Sequence, residues 1–308
     1  MAGTPMTSRE SEYARSSHLL VHASDLHLRS DGGSYGLDAA RHLRRILAEL
    51  EGSGARPDAL VFTGDLADRG ESQVYARLRE EVEPVAERMG ARVVWVMGNH
   101  DQRAPFRREL LGEPGEGPVD AVHDLDGLRL IVLDTTVPGA HHGEVSAAQR
   151  EWLSLELSIP APRGTILAMH HPPIPCVFDL AAIVELRDQR ALADVLRGTD
   201  VRAILAGHLH LSTSATFAGI PVSVASSSCY TQDPRVVDGG MRPREGAQAY
   251  SLVHVHEETI VHSVVPFSDA PALEAISAEE TARRLAEAGV VIPEGRRQSR
   301  SQGAATGK

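Results

Sequence analysis

Five short polar blocks, each set directly after an apolar run, constrain this chain more than any other feature. The blocks are Asp25-Leu26-His27, Gly64-Asp65-Leu66-Ala67-Asp68-Arg69, Gly98-Asn99-His100-Asp101, His170-His171-Pro172-Pro173 and Gly207-His208-Leu209-His210. The runs that lead into them, 19–24, 59–64, 92–98, 164–170 and 201–207, are rich in Val, Ile and Leu, as is 128–135. Runs this short and this apolar read as strands buried on both faces. Helix patterns lie between them. Residues 39–52 place Leu43, Ile46, Leu47 and Leu50 on one stripe and end at Gly52. Residues 72–90 repeat Val74, Leu78 and Val85, with Pro84 expected to kink the helix. In open α/β sheets, the loops after strand C-terminal ends form the ligand crevice, so the five blocks are expected to converge along one sheet edge.

Beyond residue 210 the pattern changes to closely spaced strand candidates at 212–219, 220–228, 249–257 and 259–267. An alternating front and a strand-rich back imply two packed sheets flanked by helices, in one domain over 18–268. Residues 1–17 are polar and expected to form a flexible arm. The remainder, 269–308, is expected to hold one helix, with Ser277 and Glu280 in a capping-box pattern, and then a flexible basic tail. That tail carries Arg296, Arg297, Arg300 and Lys308 and no acid, enough for at most weak contact with an anionic membrane surface.

Composition removes several function classes. A net charge of −11 and only 4% aromatic residues argue against binding of nucleic acid polymers. No apolar run approaches the roughly 18 residues of a membrane span, and the first 18 residues have no apolar signal core. Cys176 and Cys229, far apart in such a chain, read as free thiols. A cytoplasmic protein is expected.

The five blocks offer carboxylate, amide and imidazole, with no thiolate. Such donors suit iron, manganese, zinc or cobalt better than a purely oxygen-loving ion. Asp25 and His27, two apart on an extended segment, are expected to point the same way toward one ion, and His208 and His210 likewise. The glycines at 64, 98 and 207 are expected to let backbone turn beside the metals. His141 and His142 sit on a loop able to cap a substrate, and His142 is taken as a substrate contact. Any one block alone is an ordinary turn or surface pair. Five in order, each at a strand end, are not.

The ordered set resembles the calcineurin-like metallophosphoesterases over residues 19 to about 265. Within that superfamily the longer stretches VFTGDLADRGE, VWVMGNHD, MHHPPIP, ILAGHLH and GIPVSVASSSCYTQD are similar to bacterial class III cyclic-nucleotide phosphodiesterases. The resemblance implies an α/β fold, a four-layer αββα sandwich of two mixed sheets, and two metal ions per chain, iron and manganese first, zinc or cobalt otherwise. One ion falls to Asp25, His27, Asp65 and His210, the other to Asp65, Asn99, His170 and His208. Asn99, His100 and His210 would also touch substrate. His100 would assist the leaving oxygen, with Asp68 as a second catalytic residue orienting an imidazole, as Asp101 would. The implied reaction is hydrolysis of cyclic nucleotides, 3′,5′-cyclic AMP to 5′-AMP and 2′,3′-cyclic nucleotides besides, by a metal-bridging hydroxide. A homodimer is also implied. The rival readings are a broader phosphodiesterase for esters such as glycerophosphodiesters, and a metal-binding scaffold without turnover.

Overall fold

The computed structural model describes residues 8–236, 240–267 and 273–295. Each apolar run becomes a strand, and the strands divide between two sheets. The first sheet contains β1 (His18–Ala23), β2 (Ala59–Thr63), β3 (Arg92–Val96) and, from far along the chain, β10 (Ala249–Val255) and β11 (Ile260–Pro266). Its order is β11-β10-β1-β2-β3, with β1, β2 and β3 parallel and β10 antiparallel to both neighbours. The second contains β4 (Ala121–Leu125), β5 (Leu128–Leu133), β6 (Thr165–Met169), β7 (Val201–Ala206), β8 (Thr213–Phe217) and β9 (Ile220–Val224), in the order β4-β5-β6-β7-β9-β8. Here β5, β6, β7 and β9 are parallel, and the edge strands β4 and β8 run against them.

Three apolar layers hold the sheets and helices together. Between the sheets, Leu20, Val61, Val94 and Val96 belong to one buried cluster with Leu130, Val132, Ile166 and Leu205. On the outer face of the first sheet, Leu43, Ile46 and Leu50 of α1 (Ala39–Gly52) and Leu78 and Val82 of α2 (Ser72–Met89) cover Val21, Leu60 and Phe62. On the outer face of the second, Leu153 of α3 (Ala147–Glu156) and Leu192 and Leu196 of α4 (Gln189–Leu196) cover Ile131, Leu167 and Ile204. The result is the expected αββα sandwich. Each buried aliphatic side chain contributes about 1.5–3 kcal/mol, which is why strands with no polar face are stable only between two covering layers.

Local signals set the helix ends. The Asp38 side chain accepts from Arg41 N at 2.9 Å at the start of α1, and Ser146 with Gln149 forms a reciprocal capping box before α3. Gly90, left-handed at φ 73, closes α2, and Pro84 lies inside that helix without ending it. The short strand β4 had no apolar run to announce it, because its side chains alternate toward solvent.

Residues 9–15 run beside the end of the described chain. Arg9–Glu10 pairs parallel with Val290–Val291, and Arg15 N donates to the Pro293 carbonyl at 2.8 Å. The described part of the expected arm is therefore hydrogen-bonded, while 1–7 and the tail from 296 lie outside the described residues. The expected late helix forms as α5 (Ala278–Glu287), with Ser277 accepting from Glu280 N at 3.1 Å. Among the described residues, no helix is long and apolar enough to cross a membrane.

Candidate metal centre

Parallel register brings the polar blocks to one level. Ala23 lies beside Phe62, and Thr63 beside Val96, so the loops after β1, β2 and β3 leave the first sheet together. They carry Asp25, His27, Asp65 and Asn99. The loops after β6 and β7 leave the second sheet at the same edge, carrying His170, His208 and His210. The centre lies on the seam between the sheets, with donors from both.

The backbone at this seam is not the extended one expected of Asp-x-His. Asp25, His27, Asp65, His208 and His210 are all left-handed, with φ of 55, 45, 50, 73 and 51. Each such non-glycine residue costs on the order of 1–3 kcal/mol, and persists only where its surroundings hold it. Here they do: Asp25 N donates to Gly64 O at 3.0 Å, His27 N to Asp65 O at 2.8 Å, and His208 N to Asp25 Oδ2 at 3.0 Å. Two glycines answer to crowding instead of turning. A Cβ on Gly98 would lie 2.3 Å from Asp65 Oδ1, and one on Gly207 would lie 1.9 Å from Ser24 Oγ.

Four imidazoles share one arrangement: one ring nitrogen is tied to an acceptor and the other is left for the centre. His27 Nδ1 donates to Asp68 Oδ1 (2.9 Å), His170 Nδ1 to Thr63 O (2.7 Å), His208 Nε2 to Val184 O (2.9 Å) and His210 Nδ1 to Tyr230 O (2.9 Å). These acceptors have only lone pairs, so they fix the tautomers and leave Nε2 of His27, His170 and His210 and Nδ1 of His208 as bases. The free nitrogens crowd together. His27 Nε2 lies 3.1 Å from His210 Nε2, and His208 Nδ1 lies 3.3 Å from His170 Nε2. Two lone pairs that close call for a cation between them. Asp65 Oδ2 sits between the groups, 3.4 Å from His27 Nε2 and 3.5 Å from His170 Nε2. Asp25 Oδ1 lies 3.3 Å from His210 Nε2, and Asn99 Oδ1 lies 3.1 Å from His170 Nε2. All seven expected ligands are thus together, in two sets that share Asp65.

The electrostatics fit a cation as well. Asp25 and Asp65 are buried, at 0% and 2% exposure, and among the described residues their ion-pair partners are histidines, with no Lys or Arg. Two buried carboxylates without a permanent counter-charge are unfavourable unless a cation neutralises them. Burial by itself raises Asp65, but the imidazoles of His170, His100 and His27 outweigh it and hold the carboxyl well below its usual range. Burial lowers His170, yet the Asp65 charge and contact win and raise it to about 9. Burial, joined by His170, pushes His208 down to about 3.

Around these ligands the structure sorts the remaining candidates. Asp68 lies behind His27, which it orients, with Arg29 Nη1 at 3.5 Å from its other oxygen. Asp101 orients no imidazole: it accepts from Leu66, Ala67 and Gly98 N–H and from the Tyr75 hydroxyl, tying two of the polar loops together. His100 donates its backbone N–H to Asp65 Oδ1 at 2.8 Å and Nδ1–H to Asp68 O at 3.0 Å, which leaves Nε2 uncommitted. Burial lowers its pKa, but the Asp65 and Asp68 charges and the Asp68 carbonyl raise it overall. His142, expected against substrate, has its Nε2 3.0 Å from Glu144 Oε1 on the same loop. The neighbouring His141 reaches the centre, with Nδ1 accepting from Asn99 Nδ2 at 3.0 Å. His171 is spent on Thr135 Oγ1 and His141 O, at 2.8 and 3.1 Å. Tyr230, which lies in the stretch GIPVSVASSSCYTQD but was given no role there, packs its ring 4.3 Å from that of His210.

The chain is similar to known proteins in sequence and in fold. The family described as calcineurin-like phosphoesterase matches residues 18–212. A probable cyclic nucleotide phosphodiesterase of Rhodococcus erythropolis is 60% identical over 96% of this chain and 99% of its own length. A cAMP/cGMP dual specificity phosphodiesterase of Mycobacterium tuberculosis is 57% identical over 94% of this chain and 93% of its own. Among solved structures, a dimetal phosphatase from Danio rerio shares the fold with a TM-score of 0.59 at 16% identity, over 81% of this chain and 96% of that one. The family match over residues 18–212 and the 60% identity over nearly the whole chain show that the chain belongs to the calcineurin-like phosphoesterase family.

Proposed function

We propose that this enzyme hydrolyses the phosphodiester of small cyclic nucleotides, 3′,5′-cyclic AMP to 5′-AMP, with 2′,3′-cyclic nucleotides as further substrates. The observation that supports the reading is Asp65, placed 3.4 Å from His27 in one His/Asp cluster and 3.5 Å from His170 in the next, in a chain more than half identical to two relatives named for that activity. One ion would be held by Asp25, His27, Asp65 and His210, and the other by Asp65, Asn99, His170 and His208. When bound, such a pair lowers the pKa of water and acts as a Lewis acid on phosphoryl oxygens. Iron with manganese suits this mix of carboxylate, amide and imidazole.

The chain's own residues do the rest. Asn99 would hold its ion through a neutral oxygen, which would keep the centre positive enough for an anionic diester. Its amide nitrogen meanwhile holds His141 at the rim. His100, with Nδ1 fixed on the Asp68 carbonyl, presents Nε2 to protonate the departing ribose oxygen. Asp68 is a positioning residue, acting through His27. A homodimer in the cytoplasm belongs to the same proposal.

The test is turnover by metal-loaded protein of a panel holding cyclic AMP, cyclic GMP, 2′,3′-cyclic nucleotides and glycerophosphodiesters. Cyclic nucleotides are expected to be preferred, with activity abolished by chelation and restored by manganese. Preference for glycerophosphodiesters would replace the substrate. Full activity in strictly metal-free protein would remove the dinuclear reading.

A further inference from the structure

The centre has an aromatic neighbour in the loop between β1 and α1. Tyr35 is 72% exposed, and it and Tyr13 are the exposed Tyr, Trp and Phe rings among the described residues. Tyr13 is far from the chemistry, against His256. Tyr35 is not. Its ring meets Tyr230 edge-on at 4.9 Å, and Tyr230 in turn lies 4.3 Å from His210 and 5.6 Å from His27. Tyr35 is therefore two ring contacts from a metal ligand, with most of its surface open.

Its backbone is held in place at a cost. Tyr35 has φ 53 and ψ 24, the left-handed region where a bulky side chain is a genuine outlier. Glycines at 32, 33 and 36 surround it and could have taken that conformation freely. The loop is also tethered to the centre. Arg29 grips Asp31 through Nε and Nη2 at 2.7 and 2.8 Å, and Arg69 reaches the same carboxylate at 3.3 Å. Arg29 also approaches Asp68, which orients His27. A strained, tethered, open aromatic beside a phosphate-handling centre is placed to receive a flat apolar group, and strain of this kind gathers at ligand clamps.

We infer that Tyr35 is the stacking platform for the nucleobase of the substrate, with Tyr230 backing it edge-on. The inference rests on the cyclic-nucleotide reading and deepens it. In a cyclic nucleotide the base stands one ribose away from the phosphate, so an ester anchored at the metals carries its base to the rim on which Tyr35 stands. Stacking is tolerant of base identity, since every base has a π-face, so this platform accepts adenine and guanine alike.

The experiment compares kcat/KM for cyclic AMP and for the 3′,5′-cyclic phosphate of 1-deoxyribose, which has no base, using zinc-loaded wild type, Tyr35→Ala and Tyr35→Phe. Tyr35→Ala is expected to lose about 5- to 150-fold on cyclic AMP, the range of one base stacked on one aromatic ring, with far less lost on the baseless ester. Tyr35→Phe keeps the ring and should restore cyclic AMP turnover. In a second measurement, adenine H2 and H8 of 5′-AMP should shift upfield in NMR with wild type and Tyr35→Phe, and not with Tyr35→Ala. Equal losses on both esters would show that Tyr35 only braces Tyr230 and would overturn the inference. Wild type active on cyclic AMP with Tyr35→Ala unchanged would overturn it alone. Wild type inactive on cyclic AMP but active on other diesters would overturn the substrate reading and the inference with it.

Discussion

Asp65 and His100 are joined by one hydrogen bond, at 2.8 Å, yet do separable work. Asp65→Ala removes the oxygen shared by both donor sets, so metal content and turnover should fall together. His100→Ala removes no ligand. It should keep both metals and lose about 10²–10⁴-fold in turnover of cyclic AMP, the usual contribution of a general acid. The loss should shrink for a nitrophenyl diester, whose leaving group departs without a proton. Equal losses on the two would mean that His100 positions phosphate, and a variant stripped of metal would make it a ligand. The seven side chains that the fold brings together could be picked out in the sequence because their residue types, order and places after apolar runs each carry the signal. His141 and His142 could not be told apart, since adjacent side chains on a loop diverge according to backbone turns that composition does not encode. Tyr35 could not be found either, because an isolated tyrosine has no spacing to read, and Tyr230 lay in the stretch GIPVSVASSSCYTQD, whose pattern assigns it no contact.

At the scale of elements, β1 carries a histidine that chemistry does not use. His22 is 0% exposed between the sheets, with Nε2 2.8 Å from Thr63 Oγ1. Burial, helped by His262 and opposed by Asp25, pushes its imidazole down to about 3. The folded state thus keeps His22 neutral while the unfolded chain takes a proton near pH 6.5. Its contribution to stability is complete above that value and drains away as pH falls toward 3, by up to about 1.4 kcal/mol per pH unit. His22→Leu should therefore flatten the acid side of the stability curve, measured by denaturant unfolding from pH 7 to 4. Curves that stay parallel would assign the acid sensitivity to other groups. The buried strands were readable because having two covered faces forces a continuous apolar run. β4 was not readable, because Val122 and Asp124 face solvent and its five residues hold no continuous apolar run. Helix α3 carried a readable signal that went unused, Ser146 and Gln149 at capping-box spacing.

In the whole molecule, β1 is the central strand of its sheet, yet its two neighbours arrive at very different times. Val21 pairs on one side with Leu60, and on the other with Leu252. During synthesis the first partner emerges within seconds of β1, at about 5–20 residues per second, while the second waits for most of the chain. Until then β1 shows a bare apolar edge, the kind of surface that recruits other chains. The seam has the same timetable, since His170, His208 and His210 must join four donors made long before. A nascent chain can therefore start the sandwich early but can neither close its first sheet nor retain both ions until late. A fragment ending before Ala249 should aggregate, and sedimentation showing it monomeric with a cooperative thermal transition would refute this. Damage to the last strands, far from any ligand in sequence, should then look like a failure of production and not of catalysis: little enzyme, but normal turnover per molecule in what survives.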